Sequence, residues 1–267
     1  MRAAWLVAAR DARVSARLLV LCCLGLVGVA YLLCWGYPEF KARIALMGAA
    51  APRFVREVML ARTGGLTFEG FAGFAFYHPV TLALMAIWPI TRAVRAVAGD
   101  MERGALGWML AYPVGRVPFL LARAAVLLAG CAILQGVLLG ALRGWATWFH
   151  VGVAPASSYL WAALAGGLMY GAIGALTLWA SAASQRAAVP ATLGAMLMMG
   201  SLVLERVGGS WPILESWRWL SLFHYYQAPE ILRGTPPATS DLLVLAGLLV
   251  AGLVGATWTF ARRDLPI

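Results

Sequence analysis

Hydrophobic positions along this chain fall into six long blocks separated by short polar joints, not into the alternating or three-to-four-residue periods of a water-soluble protein. The blocks cover about residues 18–36, 71–91, 118–140, 158–180, 189–204 and 242–260. Most match the length that an α-helix, rising 1.5 Å per residue, needs to cross a hydrocarbon layer of about 30 Å. The pattern predicts an all-α integral membrane protein, with residues 1–267 forming a single transmembrane domain of six spans. Pro79 and Pro89 lie inside the second block, where each removes a backbone donor and is expected to kink the helix.

The joints differ in kind. Residues 1–17 place Arg10, Arg13 and Arg17 on one helical face and Trp5, Ala9, Ala12 and Ala16 on a neighbouring one, the pattern of an interfacial helix with its cations toward headgroups. Arg53, Arg56 and Glu57 sit at helical spacing beside Phe54, Val55 and Val58, which predicts a short amphipathic helix outside the bilayer. Residues 205–240 carry Trp211, Trp217, Trp219, Phe223, Tyr225 and Tyr226. Only the joint at 99–116, Gly-Asp-Met-Glu-Arg-Gly-Ala-Leu-Gly-Trp-Met-Leu-Ala-Tyr-Pro-Val-Gly-Arg, crowds acids and bases between two long apolar blocks. It must lie in water while its neighbours lie in lipid.

Composition agrees: 62% of residues are hydrophobic and 12% charged, against about a quarter charged in a soluble domain. The net charge of +10 comes from arginines scattered through short joints, so the matching partner is a membrane surface and not nucleic acid. With the amino terminus inside, twelve cations fall on the inner side and nine on the outer, with four and seven acids respectively. That bias places both termini in the cytoplasm of a cell-membrane protein. Trp35, Trp88, Trp145, Trp148, Trp161, Trp179 and Trp258 fall near block ends, where indole rings anchor. Small residues four apart, at Gly136 and Gly140, Gly167 and Gly171, and Gly247, Ala251 and Gly255, are expected at helix contacts. Cys22, Cys23, Cys34 and Cys131 lack metal-ligand spacing and are read as packing residues.

The block interiors contain no Asp, Glu or Lys; His78 and Arg123 are the strongly ionisable groups there. A proton-driven carrier usually keeps a mid-membrane carboxylate despite a cost of about 3 kcal/mol. The only lysine is Lys41, so the phosphate-cradling Gly-x-x-x-x-Gly-Lys loop is absent. Any ATP is therefore expected on another polypeptide, with no cofactor and no metal bound by this chain. His78 and Pro79 are the candidates for lining a pathway. Ser181 and Ser184 lie far from His78 along the spans, so no nucleophile and base pair is expected, which argues against an intramembrane enzyme.

The order of residues in 99–116 resembles the cytoplasmic coupling segment of ABC-2 type transporter permeases, Glu-x-Glu-Arg-Gly-Thr-Leu-Glu followed by leucines and Pro-Val-x-Arg. Asp100, Glu102, Arg103, Gly104, Leu106, Pro113, Val114 and Arg116 fall on it, while Asp100, Ala105 and Gly107 replace Glu, Thr and Glu. The closing Phe260-Ala261-Arg262-Arg263-Asp264-Leu265 is similar to that family's carboxyl end. The resemblance implies an export permease subunit of six helices, with an amino-terminal interfacial helix, a coupling helix between spans 2 and 3, and short outer helices before span 6. It implies a homo- or heterodimer over two cytosolic ATPase subunits that carry ATP and magnesium. Within the segment from Gly99 to Arg116, Asp100, Glu102 and Arg103 would meet the ATPase, Gly104 would turn the chain, Pro113 would end the segment and Arg116 would anchor at the headgroups. The cargo class is open among a lipid, an amphipathic drug and a peptide. The alternatives are a membrane scaffold or assembly factor, including a metal-linked accessory permease.

Overall fold

The computed structural model describes residues 2–50, 67–110, 115–208 and 211–263, and all regular structure among them is helical. Five helices are long and apolar enough to cross a membrane: α1 (Arg2–Ala50), α6 (Arg116–Trp148), α7 (Ala156–Ala183), α8 (Ala188–Gly208) and α11 (Thr239–Arg262). Between α1 and α6 lie α2 (Phe68–Ala75), α3 (Pro79–Ala96), α4 (Ala98–Glu102) and α5 (Ala105–Leu110). Between α8 and α11 lie α9 (Pro212–Glu215), two 3₁₀ turns (Arg218–Leu220 and Leu222–His224) and α10 (Ala228–Leu232).

Helix α7 is the axle. Its run of Ala, Gly and Ser leaves little side-chain bulk, so α3, α6, α8 and α11 all pack against it, while α1 lies outside on α6 and α3. A Cβ on Gly252 of α11 would come within 2.7 Å of the Ala175 backbone of α7, so that glycine sets the close approach. A second is Gly130 of α6, where a Cβ would run into the Trp88 ring of α3. Of the expected small-residue contacts, Gly171 and Gly255 do meet neighbours, but Gly136, Gly140, Gly167 and Gly247 face open space. Trp88 is likewise no interfacial anchor: it is 1% exposed, and its Nε1–H donates to the Leu127 carbonyl at 2.9 Å.

The amino-terminal segment is not a separate interfacial helix. An in-plane helix needs a turn near residue 17, yet α1 runs 49 residues without one. The buried positions Asp11, Ser15, Cys22, Leu26, Ala30, Cys34 and Tyr37 form one stripe along it, because helical spacing is unbroken and no Gly or Pro interrupts residues 2–24. Arg10, Arg13 and Arg17 are exposed on its other side, as expected.

The second hydrophobic block is broken. It folds as α2, a turn at 76–78, and α3. Pro79 does not kink a span but occupies the first turn of α3, where its missing N–H costs nothing, and His78 precedes it as the cap. Pro89 does lie within α3. The amphipathic helix expected around Arg53, Arg56 and Glu57 lies outside the described residues.

Candidate functional site at the arginine-rich end

One end of the bundle collects the amino-terminal turns of α1, the end of α3, all of α4 and α5, the start of α6, the end of α7, the start of α8 and the end of α11. Helix α3 stops at Ala96 because Val97 leaves helical geometry (φ −137°, ψ −69°), and the chain re-enters a helix at once as α4. Ser181 of α7 clamps this break: its hydroxyl donates to the Val94 carbonyl at 3.1 Å and accepts from the Ala98 N–H at 3.0 Å. After α4 the chain reverses at Gly104, whose φ of +68° disfavours any residue with a Cβ. A side chain there would meet nothing within 4 Å, so backbone conformation and not space selects glycine.

Asp100 is buried between two arginines. Its Oδ2 lies 2.5 Å from Nη1 of Arg123 on α6, and its Oδ1 lies 2.6 Å from Nη2 of Arg103. The Arg123 guanidinium also donates to the carbonyls of Arg95 (3.1 Å) and Ala96 (2.7 Å), occupying acceptors that the end of α3 leaves open, and it stacks over Phe119. Next to it Arg92 of α3, 3% exposed, forms an ion pair with Asp11 of α1. Neither charge is tolerable there without the other.

Three more links tie helix ends together. Glu102 accepts from the Ala187 N–H at 3.0 Å, capping the start of α8 with a carboxylate where the helix dipole favours one. Arg116 donates to the Arg263 carbonyl at 2.7 Å, and Arg263 donates to the carbonyls of Ala182 (2.7 Å) and Ser184 (2.9 Å) at the end of α7. Partial burial lowers the Arg263 pKa, although arginine's ordinary value is high enough to keep it charged.

The residues expected to act together therefore divide. Gly99, Asp100 and Leu106 are buried and serve the fold, whereas Glu102 and Arg103 are exposed. Gly104 makes the expected turn, Arg116 binds a helix end, and Pro113 lies outside the described residues. His78 and Pro79 are at the opposite end of α3; the His78 Nδ1 accepts from the Val80 N–H at 3.3 Å, and both residues are exposed. Among the described residues no group of three His, Cys, Asp or Glu side chains is placed to hold a metal.

Four participants escape sequence reasoning. Asp11 carried one signal, being the only acid before Glu39. In the sequence Arg92 counts only as one of the inner cations, and Ser181 only as a hydroxyl too far from His78 to pair with it. Trp108 of α5 is 82% exposed. A cavity of about 1040 Å³ opens between α1 and the α3–α6 connection, with Arg10, Arg95, Arg103 and Trp108 on its walls beside the buried pairs. The chemistry that the described contacts supply is charge pairing that couples the ends of six helices. No family model matches the chain, and no curated protein matches it either.

Proposed function

We propose that the chain is the permease subunit of an ATP-driven exporter of the ABC-2 type, forming its pathway as a dimer over two cytosolic ATPase subunits. The observation that carries this reading is the placement of residues 98–110: two short helices between α3 and α6, which hold α7 through the Ala98 N–H and α8 through the Glu102 carboxylate. A push on such an element from the water side is delivered to four helices at once. In this reading α3 by itself makes the second crossing, which brings the crossings to six. Its 18 residues extend about 27 Å, and its ends reach opposite ends of the bundle. Exposed Glu102, Arg103 and Trp108 present the surface for the ATPase, while buried Asp100 stiffens it from behind.

The test is purification of the tagged chain from its native membranes. Two copies of an ATPase are expected with two copies of this fold, and ATP-dependent export is expected to depend on both. Glu102→Lys is expected to remain inserted but to lose the ATPase or uncouple hydrolysis from export. Glu69→Lys and Glu215→Lys, the same charge change at the other end, are the controls. A chain that purifies without an ATPase favours a membrane scaffold, and a Glu102 variant that behaves like the controls removes the coupling role.

A further inference from the structure

The cavity beside α1 carries two arginines, Arg10 and Arg95, that neither the fold nor the coupling role uses. Five arginines and two aspartates line it, an excess of three positive charges within one enclosure. Asp11 is engaged by Arg92, and Asp100 by Arg123 and Arg103. Arg10 and Arg95 are exposed and have no acidic partner among the described residues. The same enclosure carries apolar walls: Leu6, Val7 and Val14 from one face of α1, and Met109 and Phe119 opposite. Leu6 and Val14 are more than 60% exposed, on the same wall as Arg10.

We propose that this cavity binds the headgroup of an anionic glycerophospholipid from the cytoplasmic leaflet. Arg10 and Arg95 supply the uncompensated charge for a phosphodiester, since basic pockets between helices at the inner surface select such headgroups. A free anion would satisfy the charge but leave Leu6 and Val14 in water. A lipid covers them with the first methylenes of its acyl chains. Trp108 on the rim suits the glycerol level, where indole rings anchor. The volume of about 1040 Å³ accommodates a headgroup with the upper part of its chains. The bound lipid would bridge α1 to the α4–α5 segment across the gap between them. The proposal does not rest on the ATPase reading.

The experiment uses the full-length protein in detergent, with retained lipid counted by native mass spectrometry and thermal stability followed in parallel. Dioleoylphosphatidylglycerol is expected to be retained and stabilising, and dioleoylphosphatidylcholine not. The double variant Arg10→Gln/Arg95→Gln is expected to weaken phosphatidylglycerol retention roughly 20- to 30-fold, about fivefold per arginine. Arg13→Gln/Arg17→Gln removes the same charge from the same end of the molecule outside the cavity and is expected to change retention less than about twofold. Ala105→Trp, which puts an indole into the cavity without altering charge, is expected to weaken retention as well. Equal loss in the Arg13/Arg17 variant, equal retention of the two lipids, or unchanged retention in Ala105→Trp overturns the site. Stabilisation by inorganic phosphate alone to the same degree overturns the lipid as its occupant.

Discussion

The two ends of this bundle are held by different forces. At the arginine-rich end the contacts are charged and directional: Arg92 with Asp11, Arg123 and Arg103 with Asp100, and arginines or a glutamate on the ends of α3, α7, α8 and α11. At the other end they are mostly rings. Tyr37 meets Phe68 and Phe71, Tyr31 meets Trp145, Phe76 meets Tyr226 and Tyr77 meets Phe223, with centroids 5.1–6.4 Å apart. The Arg218 pair with Glu205, which raises the Arg218 pKa through its hydrogen bond, is the main ionic contact there among the described residues. Ring contacts keep most of their energy through small displacements, whereas a buried ion pair loses its compensation when one partner moves. The arginine-rich end is thus the more specifically locked of the two, and the aromatic end the more tolerant of small shifts.

The sharpest way to break this contrast is at Asp100. Asp100→Asn leaves the buried Arg123 without a counter-charge and is expected to cost about 3 to 5 kcal/mol, near the lower figure because two carbonyls still accept from it. The readout is thermal unfolding of the detergent-purified protein. Asp100→Asn combined with Arg123→Met is expected to recover most of the loss, since an apolar replacement removes both desolvated charges. A double variant no more stable than the single one would show that packing, not charge compensation, holds this end.

The contrast was only partly legible in the residues. Hydropathy located five of the six blocks as continuous helices, because the cost of unsatisfied backbone in lipid leaves few alternatives. It misjudged the second, since a His-Pro pair reads equally as a kinked span or as a capped helix start, and contacts remote in sequence, such as Gly73 against Pro229, place α2 on α10. It separated the amino-terminal cations from the first span, because periodicity reports the environment of a face and not whether the backbone bends. In the joint at 99–116 the residue types pointed to a compact charged element, but which charges turn inward depends on partners far away in sequence. Asp100 and Arg123 are brought together by the turn of α4 against α6, and Asp11 and Arg92 by the length of α1.

Smaller effects sharpen the comparison. Gly104→Ala is expected to destabilise by about 1 to 2 kcal/mol, because a Cβ disfavours φ of +68° even where space is free. Denaturation should show it as independent of salt. Gly107→Ala, three residues on in the α5 helix, is the control and is expected to be neutral or slightly stabilising. At the aromatic end, Phe223→Leu keeps most of the buried volume and loses the ring contact with Tyr77, for an expected cost of about 1 kcal/mol. A loss as large as that at Asp100 would mean that the aromatic end is as specifically locked as the arginine-rich one.

The smallest expected change in stability is at Glu102, and it is the most informative about partners. Its carboxylate caps α8 through the Ala187 N–H while remaining exposed to water. Glu102→Gln keeps an oxygen able to accept that hydrogen bond and loses only the interaction of the charge with the helix start, about 0.3 to 1 kcal/mol and screened by salt. The cap alone therefore predicts a nearly normal protein whose small deficit fades at high ionic strength. A carboxylate that also meets a cationic groove on an ATPase predicts more: association weakened by about 2 to 5 kcal/mol once that contact is buried, with the isolated subunit still nearly normal. Measuring thermal stability of the subunit and retention of its ATPase on the same preparation separates the two roles. Equal, small losses in both would confine Glu102 to its helix, and the face formed by Arg103 and Trp108 would then have to carry docking alone.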